Sequence, residues 1–172
     1  MNNTVKSDIS TEKCIKLMKK LISTDTTQPL GNEALLCDFI AKRYEGFDVK
    51  VVKFPHNDLR ASVAVEIAGK NMNGIAFFGH LDTVATGDFS VWSVNPFAAE
   101  IVGDTVYGRG AADMKGGVAS MLMALDKLLA EGSKPDKRVL FCFTADEEKG
   151  GTGATAIADS GILDGIEEMI FC

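Results

Sequence analysis

The sequence is short of the residues that usually mark a site. Only two histidines, His56 and His80, and one tryptophan, Trp92, occur in 172 residues. The four cysteines, Cys14, Cys37, Cys142 and Cys172, show no CxxC spacing. Three of them lie within apolar patterns, as buried free thiols of a reducing cytoplasm do. Positive charge is in deficit, with 18 Lys and Arg against 24 Asp and Glu, a net −6. That argues against a nucleic-acid surface, which needs a dense cationic face, and is unfavourable for anionic membranes. No apolar run approaches membrane-spanning length, and the polar start MNNTVKSDIS lacks the apolar core of a signal peptide. A cytoplasmic protein is expected.

What is present fits one well-buried domain. The 172 residues are enough for a sizeable core, and 46% hydrophobic with 24% charged residues is ordinary globular composition. Residues 10–23 place Cys14, Met18, Leu21 and Ile22 on one helical face, with Ser10 or Thr11 as the cap. A second helix is expected from Asn32, with Leu35, Leu36, Phe39 and Ile40 as its stripe and Gly46 beyond its end. FDVKVVKF and ASVAVEIA alternate, so each predicts a strand with one solvated face. GIAFFGH and KRVLFCFTA are apolar throughout, as strands buried on both faces are.

Residues 85–97 read as a long loop, and Gly103-Asp104 between apolar runs reads as a hairpin. GGVASMLMALDKLLAEG and ATAIADSG read as helices, and EEMIFC as a last strand. Helices and strands alternate in the second half, which predicts an α/β fold: a mixed, mostly parallel sheet flanked by helices. The run MIFC stops at its apolar centre, so the chain is expected to be the front part of something longer.

Two of the buried strands end in chemically loaded residues. GIAFFG leads into His80 and Asp82, and RVLFCFTA leads into Asp146, Glu147 and Glu148. Between them, YGRGAADMKGG puts Asp113 on a glycine-rich loop entering a helix. The carboxyl ends of parallel strands form the binding edge of an open α/β sheet, so these groups converge on one edge. Crowded carboxylates repel one another, and divalent cations relieve the conflict. Imidazole with carboxylates suits zinc, with cobalt or manganese as substitutes.

In HLD, the i, i+2 spacing puts both side chains on one side of an extended segment. Asp82 is therefore expected to accept from the His80 ring nitrogen that does not bind metal. Of the adjacent glutamates, one can bind metal while the other serves as general base. Each piece alone has a bland explanation: a strand-end histidine is usually structural, DEE usually a solvated loop, and Asp113 a helix cap. His56 reads as a surface-loop residue. GRGAAD puts Asp113 where a dinucleotide fingerprint wants glycine, and DMKGG lacks the Ser or Thr of a phosphate loop. A Mg²⁺-dependent phosphotransferase is therefore set aside.

Together, GHLDTV, YGRGAADMKGG and TADEEKGGTGA resemble the successive signatures of the acetylornithine deacetylase / succinyl-diaminopimelate desuccinylase family. These are co-catalytic zinc amidohydrolases and exopeptidases related to carboxypeptidase G and the aminoacylases. The intervals of 31 residues from Asp82 to Asp113 and 34 from Asp113 to Glu147 also resemble the desuccinylase branch. The resemblance implies a zinc-exopeptidase-like fold and two Zn²⁺ ions per complete catalytic domain. His80 is matched to a ligand of one zinc, Asp113 to the bridging carboxylate and Glu148 to a ligand of the second. Asp82 is matched to the residue that orients His80, and Glu147 to the general base.

The implied reaction is hydrolysis of an N-acyl amino acid or short peptide, within amino-acid biosynthesis. Residues 1–172 would be the N-terminal part of that catalytic domain. The resemblance puts the remaining ligands, the C-terminal catalytic segment and a smaller dimerisation domain outside them. The alternative is a non-catalytic relative acting as a binding or regulatory partner.

Overall fold

The computed structural model describes residues 10–172; the polar start read above lies, for residues 1–9, outside the described residues. Helix α1 (Thr11–Ser23) begins where the Ser10 side chain accepts from the Lys13 amide, a conventional N-cap. Helix α2 (Glu33–Arg43) follows, then strands β1 (Lys50–Pro55), β2 (Ala61–Ile67) and β3 (Gly74–His80). A hairpin of β4 (Glu100–Val102) and β5 (Thr105–Tyr107) turns at Gly103, whose φ is +60°. Helix α3 (Gly116–Glu131), strand β6 (Arg138–Thr144), helix α4 (Thr152–Asp159) and strand β7 (Ile166–Phe171) complete the order.

The main sheet runs β1-β2-β6-β3-β7. β6, β3 and β7 are parallel neighbours, and β1 and β2 add an antiparallel edge. On one face, Val63, Val65, Phe141 and Phe143 pack with Leu17, Leu21, Leu36, Ile40 and Leu122 of α1, α2 and α3. On the other, Ala64, Ala76, Leu140 and Cys142 pack under Ile157 of α4. Every residue of β6 is buried, as its unbroken apolar run requires.

Three expectations need correction. β2 is not solvated on one face: Ser62 and Ala64 on its polar-looking side are fully buried beneath α4. They are small enough to let that helix approach, and a Cβ on Gly153 would lie 2.4 Å from Ser62 Oγ. On α2, Leu35 is 58% exposed while Glu33 and Cys37 are buried, with Glu33 turned inward toward the half-buried Arg60. Cys172 is exposed, and so are Met169, Ile170 and Phe171. β7 is an edge strand with only β3 beside it. Cys37 and Cys142 are buried free thiols, and burial pushes the Cys142 thiol up to about 12.

Phe141 is 1% exposed and stacks on Phe77 at 5.2 Å between ring centroids. Phe141→Ala should therefore lower the unfolding free energy by about 3–5 kcal/mol, the usual cost of an aromatic-sized core cavity. Urea denaturation checks this, with an unchanged m-value expected.

Candidate functional site

The register of the parallel pair builds the site. His80, the last residue of β3, lies opposite Thr144, the last residue of β6. The chain leaves both strands on the same edge, so Asp82 and the Asp146–Glu148 turn emerge side by side. Asp113 arrives from the Ala111–Lys115 segment, where it breaks helical geometry with φ −123° and ψ 100°. This extended residue swings its carboxylate back over the end of β3, and its Oδ1 lies 2.9 Å from His80 Nε2.

His80, Asp113 and Glu148 each offer a ligand atom, and these atoms lie within 4.8 Å of one another. His80 is buried, Glu148 half-buried and Asp113 exposed. Glu147 Oε2 stands 3.8 Å from His80 Nε2. The five residues singled out in the sequence thus share one strand-end edge. Burial would lower the His80 pKa, but its contacts with Asp82 and Asp113 outweigh this and push it up to about 9. Burial and the nearby Asp113 charge raise the Glu148 carboxyl. Carboxylates crowded in this way, with one imidazole among them, have the donor set that a zinc-like divalent cation satisfies.

Asp82 behaves differently from the sequence expectation. The acceptor nearest His80 Nδ1 is the Asp82 backbone carbonyl at 3.0 Å, with the carboxylate Oδ1 at 3.6 Å. The carboxylate is fully buried and already engaged. It accepts from the Glu147 amide at 3.0 Å, the Glu148 amide at 3.1 Å and Gln28 Nε2 at 2.7 Å. Burial pushes this carboxyl up, and its bonded partners more than reverse that, holding it below its ordinary value.

Sequence reading missed the residues behind the site. Gln28, Arg60 and Glu33 come from loops and a helix start far away in the chain, and no local motif marks them. Lys115 is 1% exposed and donates to the Thr24 carbonyl at 2.9 Å, tying the end of α1 to the Asp113 segment. Burial lowers this lysine to about 8. His56, read as a surface-loop residue, is half-buried, with Nε2 3.1 Å from Ser62 Oγ.

Comparison with known proteins extends the geometry. The model of Peptidase family M20/M25/M40 matches residues 76–171. A probable succinyl-diaminopimelate desuccinylase of Staphylococcus aureus is 31% identical over 156 residues, covering 91% of this chain and 38% of the relative. The chain therefore spans well under half the length of the curated relatives it matches. Among solved structures, the M20 family metallo-carboxypeptidase Sso-CP2 from Sulfolobus solfataricus superposes with TM-score 0.79 at 21% identity. That match covers 94% of this chain and 37% of that one. Bacillus subtilis YXEP, described as a dinuclear metal binding peptidase, superposes with TM-score 0.61 at 21% identity, covering 93% and 42%. At these identities the solved structures support the fold.

Asp82→Ala removes the acceptor shared by two backbone amides. It should lower the unfolding free energy by roughly 1.5–3 kcal/mol, as for a lost hydrogen bond to a charged group. A change within about 0.5 kcal/mol, the range of ordinary surface substitutions, would show that the turn does not depend on this carboxylate.

Proposed function

This chain belongs to peptidase family M20/M25/M40, and from that footing we propose that it forms the metal-binding edge of an amide-hydrolysing enzyme. The substrate class is an N-acyl amino acid, such as succinyl-diaminopimelate or acetyl-ornithine, or a short peptide. The observation that carries the reading is the convergence of His80, Asp113 and Glu148 ligand atoms within 4.8 Å, with Glu147 alongside.

In this reading His80, Asp113 and Glu148 would hold zinc, or cobalt or manganese in its place, with Asp113 contributing to both of two sites. Bound ions supply polarisation of the scissile carbonyl and acidification of water. The remaining work belongs to the chain. Glu147, 58% exposed at its side chain, is free to reach an attacking water. It takes that water's proton as the oxygen bonds to the carbonyl carbon, and returns it to the amine nitrogen as the C–N bond breaks. The Asp82 carbonyl accepts from Nδ1 of His80, which leaves Nε2 facing the Asp113 carboxylate, where it would serve as the ligand atom.

The other ligands, and a dimer-forming segment giving a homodimer, are assigned to chain outside residues 1–172 in the whole protein. A cytoplasmic location belongs to the same proposal, supported by the unpaired buried thiols. Among the described residues, no helix is long and apolar enough to cross a membrane.

In a longer protein carrying this segment, Glu147→Ala should retain both ions but lower kcat on the order of 10²–10⁴-fold. Glu148→Ala should lose one ion. Metal analysis by mass spectrometry with turnover assays separates these, and loss of the same ion by both variants would overturn the assignment. Among the described residues, each ion would have His80 or Glu148 plus the shared Asp113, fewer than the three protein ligands usual in catalytic zinc sites. Calorimetry on residues 1–172 alone should therefore find weak Zn²⁺ binding and no hydrolysis of acetyl-ornithine, succinyl-diaminopimelate or dipeptides. Nanomolar stoichiometric binding would contradict this.

A further inference from the structure

Glu147 and Glu148 have little of their own to hold them. Glu147 is exposed and Glu148 half-buried, so neither side chain is fixed by packing. Their backbone is fixed instead, by the two oxygens of Asp82. A carboxylate on a single side chain can still rotate, and its orientation depends on what else it bonds. Gln28 supplies the third donor, at 2.7 Å to Asp82 Oδ2.

Gln28 is placed there by strand-like pairing of its loop with the chain after β3. Its amide donates to the Thr83 carbonyl at 2.8 Å, and the Thr83 amide donates to the Thr26 carbonyl at 3.1 Å. A glutamine amide can present either its oxygen or its nitrogen. Arg60 decides which, because its guanidinium donates to Gln28 Oε1 and so turns Nε2 toward Asp82.

The same guanidinium donates to Asp146 Oδ1. Asp146 immediately precedes Glu147 and sits in the left-handed region at φ +64°, a conformation that a non-glycine residue holds only against local cost. Its other oxygen accepts from Thr152 Oγ1 at 3.0 Å, at the start of α4. Arg60 therefore grips the Glu147–Glu148 turn twice, once through Gln28 and Asp82, and once through Asp146. Gly31 makes room for it, since a Cβ there would come within 2.5 Å of Arg60 Nε.

We infer that Gln28 and Arg60 are positioning residues that aim the Glu147–Glu148 turn, acting from behind the site through Asp82 and Asp146. The geometry stands on its own; its catalytic meaning rests on the roles proposed above for Glu147 and Glu148.

Amide hydrogen exchange followed by NMR on residues 1–172 tests the inference without any metal. In Gln28→Leu, exchange at the Glu147 and Glu148 amides should accelerate at least about tenfold, as expected when a hydrogen bond to a charged group is weakened. Exchange at Leu140 and Cys142 in β6 should stay unchanged. Arg60→Met should give the same pattern, with Arg60→Lys in between because it keeps the charge but not the fork. Either residue's variants suffice if the other's fail to fold. Unchanged exchange at the two glutamates in a folded variant overturns the inference. Equal acceleration across β6 also overturns it, because that marks a merely structural role. In a longer protein carrying this segment, titration with Co²⁺, read by its visible absorption, should show affinity weakened on the order of 10–100-fold by the same substitutions. Loosened amides with unchanged Co²⁺ affinity would uphold the positioning and overturn the ligand role of Glu148.

Discussion

A fully buried carboxylate must be matched donor for donor, and Asp82 shows how far that requirement reaches. Its two oxygens receive two successive backbone amides and a side-chain amide. An unpaired buried charge would cost far more than any single bond here returns. The arrangement can exist only if β3 and β6 end level with each other and the loop after α1 lies alongside. Asp82 therefore couples three distant segments, and the position of the acidic turn follows from satisfying it.

The sheet makes that coupling possible. Parallel pairing of β3 with β6 holds His80 beside Thr144 through a run of apolar partners, buried on β6 and buried or half-buried on β3, from Ile75 opposite Val139 to Phe78 opposite Cys142. A slip of one residue would turn the phenylalanines of β6 away from the helices that cover them. The core on the α1–α3 face thus enforces the same register that the site needs. Packing and chemistry are here one constraint, because both depend on where the two strands stop.

Electrostatically, the edge is divided into two zones. Behind it, Arg60 compensates Asp146, and Lys115 lies buried near Asp25, Asp82 and Glu33. In front, Asp113, Glu147 and Glu148 face outward with only His80 among them. The rear carboxylates have a cation of this chain beside them, and the front ones are left for a metal ion to match. That division agrees with membership in a metal-dependent family.

Much of this was legible in the sequence. Periodicity located helices at 10–23 and 116–132, within a residue of α1 and α3, continuous apolar runs located β3 and β6, and the residues at their ends pointed to one edge. Local rules suffice there because the signal lies within a few neighbouring residues. They failed for β2, whose alternation looked half-solvated until α4 was seen lying over Ser62 and Ala64. They also failed for Leu35, since helical spacing does not say which side of a stripe meets the sheet. The sequence by itself determined the element types, the chemical character of the strand ends and the order of the motifs. Only the tertiary structure decided that the Asp82 carboxylate clasps the Glu147 and Glu148 amides while lying 3.6 Å from the imidazole, and that Gln28 and Arg60 stand behind it. Those bonds join residues 32 to 86 positions apart, and such contacts leave no periodicity or motif for a local reading to find.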